Sequence, residues 1–263
     1  MVLIHPSIDP VIISFGIIEI RWYGLAYVLG FIIGIYLIKK INFSSENKIS
    51  NNKLDNFLIW AVLGVIIGGR IGYMVFYQID SIFNNFLSIF YIWKGGMSFH
   101  GGLVGMIVSI FLFTKKNKID FLYLSDLVSL AAPIGLFFGR IANFINVELY
   151  GRITNFPLAM IYPTIDNSPR HPSQLYEALF EGVILFLILF YFQNKIKFTK
   201  KYGLITSLFL CYYGIFRFLV EFLREPDNHL GLFFNFLTMG QLLSAPLILI
   251  GIFIYLNLKK IND

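Results

Sequence analysis

Cysteine, charge and the familiar catalytic signatures are all scarce in this chain. Its one cysteine, Cys211, lies in an apolar run, so an internal disulfide is excluded and the residue reads as packing, not as part of a thiolate metal site. Charged residues make up 14% of the 263 positions, against about 25% in ordinary soluble domains. No HExxH, CxxC, P-loop or GxSxG occurs, which leaves zinc hydrolysis, nucleotide hydrolysis and a nucleophile-elbow serine without support. The amino terminus, MVLIHPSIDP, has no basic segment and the first lysine is Lys39. A cleavable signal peptide is therefore not expected, and the first apolar span serves as an anchor. No internal repeat with a period of about 20 to 50 residues is present.

What the chain has in abundance is apolar surface. It is 57% hydrophobic with a mean hydropathy of +0.72, which a soluble domain cannot sustain and a polytopic membrane protein requires. Windows of about 20 apolar residues predict spans near 17–38, 54–77, 96–114, 121–144, 173–192, 203–222 and 236–256. The expected fold is thus all-α, a single membrane domain of seven transmembrane helices spanning 1–263. Barrel strands would instead alternate over about ten residues. The longest connection, about 145–172, contains Gly151, Pro157, Pro163, Pro169 and Pro172 and predicts a folded loop with little helix.

The net charge of +6 is topological and does not indicate nucleic acid. Lysines 39, 40, 48 and 53, then 115, 116 and 118, then 195, 197, 200 and 201, then 259 and 260 fall in alternate loops. By the positive-inside rule those loops are cytoplasmic, the N-terminus is outside and the C-terminus inside. The seven arginines (21, 70, 140, 152, 170, 217 and 224) avoid those loops. Arginine pairs with phosphate through a two-pronged fork, whereas lysine is a point charge. The split suggests that arginines mark the working site and lysines the orientation.

GRIANFINVELYG, residues 139–151, carries the densest signal. An arginine at mid-membrane costs about 2.5 to 3.5 kcal/mol on insertion scales, so its charge needs a use. Read as a helix, Arg140, Asn143, Val147 and Tyr150 share one face that could meet an anionic, hydrogen-bonding ligand. In 213–226, Tyr213, Arg217, Glu221 and Arg224 form a polar stripe before Glu225 and Pro226. Glu221 can pair with Arg217 or with Arg224, and a positive charge is left over unless Glu225 or another helix supplies a partner. MSFHGGL, 97–103, sets His100, the side chain suited to proton transfer near neutrality, before two glycines that allow close approach. In RHPSQLYEALFEG, 170–182, Ser173 resembles an N-cap, while Gln174, Tyr176, Glu177 and Glu181 are candidates to line a cavity. Gly64, Gly68 and Gly72 follow the small-xxx-small pattern of closely packed membrane helices. Arg70 can snorkel to headgroups or pair with a carboxylate, and Arg21, Trp22 and Tyr23 read as an interfacial anchor.

These segments together resemble the prolipoprotein diacylglyceryl transferase family over essentially the whole chain. The resemblance rests on RWYG at 21–24, GGRIGY at 68–73, GGMSFHGGL at 95–103, GRIANFINVELYG at 139–151, RHPSQLYEA at 170–178 and YGIFRFLVEFLREPD at 213–227. The middle segment fits the family pattern G-R-x-[GA]-N-F-x-N-x-E-x-x-G at every fixed position. Arg21 stands where some relatives have histidine, and the loop after Gly151 is shorter than in longer members.

The resemblance implies transfer of the diacylglyceryl group from phosphatidylglycerol to the thiol of a lipobox cysteine in a prolipoprotein signal peptide. It implies a multi-pass protein of the bacterial inner membrane with its site toward the periplasm. No cofactor and no metal are expected. The family's phosphate-binding arginines fall on Arg140 and Arg217, and its important tyrosine, histidine, asparagine and glycine on Tyr23, His100, Asn143 and Gly151. Glu148, Glu221 and Arg224 match positions in or around its cavity. Mechanistically, His100 is the nominated base, with Tyr23, Tyr213 or a carboxylate as alternatives. The competing reading is a transporter or flippase for an anionic lipid or organic anion, which would bind with the same arginines and do no chemistry.

Overall fold

The first apolar run enters its helix later than hydropathy suggests, because its leading residues pair as β-structure. In the computed structural model of the chain, which describes residues 3–16, 18–43, 49–91, 96–196, 202–226, 233 and 236–260, short strand β1 (Leu3–Ile4) is followed by β2 (Val11–Phe15) and β3 (Ile18–Arg21). β2 and β3 form an antiparallel hairpin in register Ile13↔Ile20, Ser14↔Glu19 and Phe15↔Ile18. Gly16 supplies the positive φ of the turn, 65°. Helix α1 therefore runs Trp22–Phe43 instead of starting near residue 17. Gly95, Asp227, Lys48, Lys197, Lys200 and Lys201, all named above, lie outside the described residues.

The chain divides into two units, one made of Met1–Glu46 and Asp126–Asp263, the other of Asn47–Ser125. In the second unit, α2 (Asn51–Tyr77) is followed by α3 (Ile79–Asn84), a 3-10 turn at Phe86–Phe90, and α4 (Phe99–Asn117). α2 and α4 pack through glycine. A Cβ added at Gly68 would lie 2.3 Å from the Gly101 carbonyl oxygen, and one at Gly105 would lie 2.0 Å from that of Gly64. Without side chains in between, backbones meet directly, the device membrane helices use in place of a hydrophobic driving force. Arg70 does not snorkel: it is 5% exposed and donates to the carbonyls of Ile89 (3.0 Å), Ser88 (2.8 Å) and Gly96 (3.3 Å). Gly68→Ala should lower the melting temperature of the purified protein in detergent, as overpacking costs about 1–3 kcal/mol. Gly102→Ala, whose Cβ meets only Val65 at 3.6 Å, should leave it nearly unchanged. Equal melting of the two would remove the glycine seam from the account.

The first unit holds α5 (Phe121–Ile145) from Asp126 onward, and then a helix-free stretch, 146–172, with short strands β4 (Met160–Ile161) and β5 (Pro169–Arg170). β4 pairs parallel with β1 and antiparallel with β5. A continuous rod follows, made of α6 (Ser173–Glu177), a π-helical segment Ala178–Ile184 and α7 (Leu185–Ile196). It leads to α8 (Leu204–Val220) and α9 (Met239–Lys260), which pack against each other. Asp126 of α5 fixes the start of α8. Fully buried, its carboxylate accepts from the backbone N–H groups of Gly203 and Thr206 and from the Thr206 hydroxyl, each at 2.7 Å. Two of the orphan donors at the start of that helix are thus satisfied from another helix.

Among the described residues, five helices are long and apolar enough to cross a bilayer: Trp22–Phe43, Asn51–Val75, Phe121–Ile145, Ser173–Lys195 and Met239–Leu258. α8 is equally apolar at 17 residues. The protein is mostly helical and its apolar helices are those of a membrane protein.

Candidate functional site

Six charged side chains from three helical elements meet inside the first unit. α5 contributes Arg140; the α6–π–α7 rod contributes Glu177 and Glu181; α8 and the turn after it contribute Arg217, Glu221 and Arg224. The π-helical segment begins directly after Glu177 and contains Glu181, so a widened turn lies where both carboxylates must face the arginines. Arg140 reaches Glu181 through Nη2 at 3.0 Å and Nε at 3.3 Å, and Glu177 through Nη1 at 3.1 Å. Arg217 bonds to Glu177 and pairs with Glu221 at 2.6 Å. Glu221 also lies 3.8 Å from Arg224.

Both pairings open to Glu221 in the sequence are thus realised, and the surplus positive charge of the stripe is met from another helix. Three guanidiniums face three carboxylates. Glu177 and Glu181 have no exposed side-chain surface, and Arg140 and Arg217 retain only 13% and 12%. Desolvation makes such a cluster expensive to assemble and more expensive to break, about 3–5 kcal/mol when one partner of a buried pair is removed. Tyr213, one turn before Arg217, is buried and stacks on Phe209 with ring centroids 5.6 Å apart. α9 closes the far side of Glu221: a Cβ at Gly240 would fall 2.6 Å from that carboxylate, so any larger residue there must push the Glu221 side chain aside.

One turn beyond Arg140, α5 ends at Ile145 and the chain leaves the helix, so Val147 and Tyr150 do not continue the face of Arg140 and Asn143. Val147 and Leu149 take left-handed backbone angles, φ 57° and 56°. For a β-branched residue this is strained, and such strain persists only where surroundings impose it. Between them Glu148 is turned back onto the helix. Its N–H donates to the Asn143 carbonyl at 2.9 Å, and its carboxylate accepts from the Asn143 amide at 2.9 Å. The Asn143 amide also lies 3.5 Å from the Tyr23 hydroxyl of α1. Gln174 holds the same turn by donating to the Glu148 carbonyl at 2.6 Å and accepting from Tyr162 at 3.1 Å. Burial pushes the Tyr162 phenol up. Ser173 is the first residue of α6, not its cap, and its hydroxyl donates to the Leu149 carbonyl at 2.7 Å.

Gly151 joins this turn to the end of the arginine stripe. It bridges Arg224, its N–H donates to the His171 carbonyl at 2.9 Å, and its own carbonyl accepts from Arg170 at 3.3 Å. Arg152 bonds to the carbonyls of Leu223 and Arg224, through its N–H and Nε at 2.9 and 3.0 Å. Arg170 is braced by Asp166 at 2.7 Å and Glu225 at 3.3 Å and lies over the Tyr150 ring at 5.0 Å. Its hydrogen bond holds the Asp166 carboxyl below the usual range. His5, buried against Phe144 and Tyr162, ties β1 to the end of α5 by an Nε2 contact with the Phe144 carbonyl at 3.0 Å, and burial lowers its imidazole.

Nine of the ten residues singled out from sequence therefore belong to this unit: Tyr23, Arg140, Asn143, Glu148, Gly151, Tyr213, Arg217, Glu221 and Arg224. His100 belongs to the second unit, exposed in the first turn of α4, whose N-terminus is capped by Ser98 Oγ accepting from Gly101 at 3.2 Å. Glu177 and Glu181, which sequence offered only as cavity lining, are central. His5, Tyr162 and Gly240 carried no sequence signal, since each acts through a partner distant in the chain.

The model of the prolipoprotein diacylglyceryl transferase family matches residues 10–257, a range that contains every member of the charged cluster. The chain belongs to that family. Relatives named phosphatidylglycerol–prolipoprotein diacylglyceryl transferase are similar to it over most of their length. That of Rickettsia felis is 48% identical over 246 residues, 94% of this chain and 95% of the relative. That of Rickettsia bellii is 47% identical over 252 residues, 96% of each. That of Rickettsia rickettsii is 49% identical over 246 residues, 94% and 95%. For a prolipoprotein diacylglyceryl transferase family member, a buried cluster of arginines is chemically apt, since a phosphate diester is an anion that guanidinium forks can hold.

Proposed function

We propose that the chain transfers the sn-1,2-diacylglyceryl group of phosphatidylglycerol to the lipobox cysteine thiol of a prolipoprotein signal peptide. A thioether forms and glycerol phosphate is released. The observation that carries this reading is the pairing of Arg140 and Arg217 across shared carboxylates, one turn from the Asn143–Glu148–Tyr23 group. The family membership and the relatives' names support the substrates.

In this mechanism the thiol sulfur attacks C3 of the lipid's diacylated glycerol. The C3–O bond breaks and its electron pair leaves with the phosphate. Arg140 and Arg217 hold the diester and stabilise the charge gathering on the departing glycerol phosphate, and Asn143 adds a hydrogen bond. Glu148, Gly151, Tyr213, Glu221 and Arg224 shape and bind around them, with Tyr23 closing on Asn143. The thiol proton goes to His100. A free cysteine has a pKa of about 8.5, so a base is needed near neutral pH. His100→Gln should slow transfer, and most strongly at low pH, where little thiolate exists without a base. A pH–rate profile parallel to that of the wild type would assign the proton elsewhere.

The accompanying architecture is one integral membrane domain of seven helices, N-terminus periplasmic and C-terminus cytoplasmic. It lies in the bacterial inner membrane, with the loop at about 145–172 and the site toward the periplasm. Thirteen of the fourteen lysines, all but Lys94, fall in the loops this orientation makes cytoplasmic and support it. The test is mass spectrometry of a lipobox peptide incubated with purified protein in phosphatidylglycerol micelles. A diacylglyceryl adduct on cysteine is expected. Bound lipid with no adduct under any condition would overturn the reading.

A further inference from the structure

The charge balance of the buried cluster has a consequence for lipid binding. Arg140, Arg217 and Arg224 are matched by Glu177, Glu181 and Glu221. If all six are ionised, a phosphate diester arriving at Arg140 adds an uncompensated negative charge to a site from which water is largely excluded. Buried charge without a partner is unfavourable, and a carboxylate beside a new anion relieves it by taking a proton.

The three carboxylates are not equivalent. Glu177 is shared between Arg140 and Arg217. Glu221 is shared between Arg217 and Arg224 and enclosed by Gly240. Three carboxylate oxygens of the cluster accept no hydrogen bond among the described residues: Glu177 Oε2, Glu221 Oε2 and Glu181 Oε1. The first two lie 3.1 and 2.6 Å from a guanidinium nitrogen, while Glu181 Oε1 stands 3.8 Å from Arg217. It is the least compensated of the three. Its other oxygen, Oε2, accepts from both Nε and Nη2 of Arg140, the edge with which arginine grips a phosphate.

We propose that Glu181 is a stand-in anion on Arg140, displaced and protonated when the lipid phosphate binds, so that phosphatidylglycerol binding is coupled to uptake of one proton. This rests on the placement of the phosphate at Arg140 given under Proposed function. The proton comes from water, settles on the Glu181 carboxyl and returns when glycerol phosphate leaves; no covalent bond changes in this step. Among the described residues, the charged and titratable groups facing Glu181 are Arg140 from α5, Tyr213 and Arg217 from α8, and Glu177 from its own rod, with Glu221 and Arg224 beyond Arg217.

The test is calorimetric titration of phosphatidylglycerol into the full-length protein in a zwitterionic detergent, in buffers that differ in ionisation heat, between about pH 6 and pH 9. The wild type should take up close to one proton per lipid in the upper part of that range, and its affinity should fall there by about tenfold per pH unit. Glu181→Gln should take up none, bind with the same affinity throughout, and bind more tightly than wild type at high pH. Wild-type binding without proton uptake would overturn the proposal, a result that needs no variant, as would equal uptake by wild type and Glu181→Gln. Failure of the lipid to bind at any pH would overturn the placement of the phosphate and the coupling with it. Proton-coupled binding with no thioether formation would leave the coupling standing and remove the transferase reading alone.

Discussion

Arg140→Ala is expected to abolish measurable diacylglyceryl transfer, and Arg140→Lys to lower it by a factor of about 100 to 1,000, the usual loss when one preorganised donor to developing charge is removed. The two substitutions separate two roles. Alanine leaves Glu177 and Glu181 facing Arg217 alone, so about 3–5 kcal/mol of stability should go with the activity. Lysine keeps the positive charge but has one nitrogen where Arg140 uses Nε and Nη2 against Glu181 and Nη1 against Glu177. It should fold more nearly as wild type and still fail to grip a phosphate with two parallel bonds. Initial rates of thioether formation, normalised to protein that melts as a folded species, are the measurement. A lysine variant with a near-normal rate would mean that charge suffices and the fork geometry is irrelevant.

Gly151→Ala should be almost as damaging, although it removes no functional group. A Cβ there would lie 2.4 Å from the His171 carbonyl oxygen, 2.6 Å from His171 Cβ and 2.7 Å from the Leu223 carbonyl oxygen. Two of these three atoms are backbone, so the segment must move. What moves with it is the bridge from Gly151 to Arg224, and through Arg224 the contact to Glu221. A displacement of about 1 Å at a site whose chemistry depends on alignment costs about a hundredfold in rate, with about 1–3 kcal/mol of strain. Here kcat should fall while bound phosphatidylglycerol, held mainly by Arg140 and Arg217, remains detectable. Unaltered kcat in a folded Gly151→Ala protein would show that the bridge to Arg224 does not position the site.

Apolar runs located α2, α5, the α6–α7 rod, α8 and α9 closely, because burial in lipid needs nothing but length and hydropathy. Ile18–Arg21 was absorbed into the first span, since an apolar stretch fits a strand or a helix equally and only pairing with Val11–Phe15 decides. The stripe Tyr213, Arg217, Glu221 and Arg224 was legible because helical spacing is local. Its counter-charges were not, because Glu177 and Glu181 reach it from another helix and across a π-helical turn that no periodicity announces. The turn after Ile145 escaped for a related reason: Val147 at φ 57° goes against local propensity and is imposed by the contacts of Asn143, Glu148 and Gln174. Of the two readings of Arg70, headgroups or a carboxylate, the first gives way, because three backbone carbonyls of its own unit receive its guanidinium.

Diacylglyceryl transfer is tested with phosphatidylglycerol labelled separately in its diacylated glycerol and in its headgroup glycerol, incubated with a lipobox peptide and the purified protein. The first label is expected on the cysteine sulfur and the second in free glycerol phosphate, one for one, with neither released by Arg140→Ala. Headgroup release without a labelled thioether, or intact labelled lipid recovered from the opposite leaflet of a proteoliposome with no label on the peptide, would contradict it.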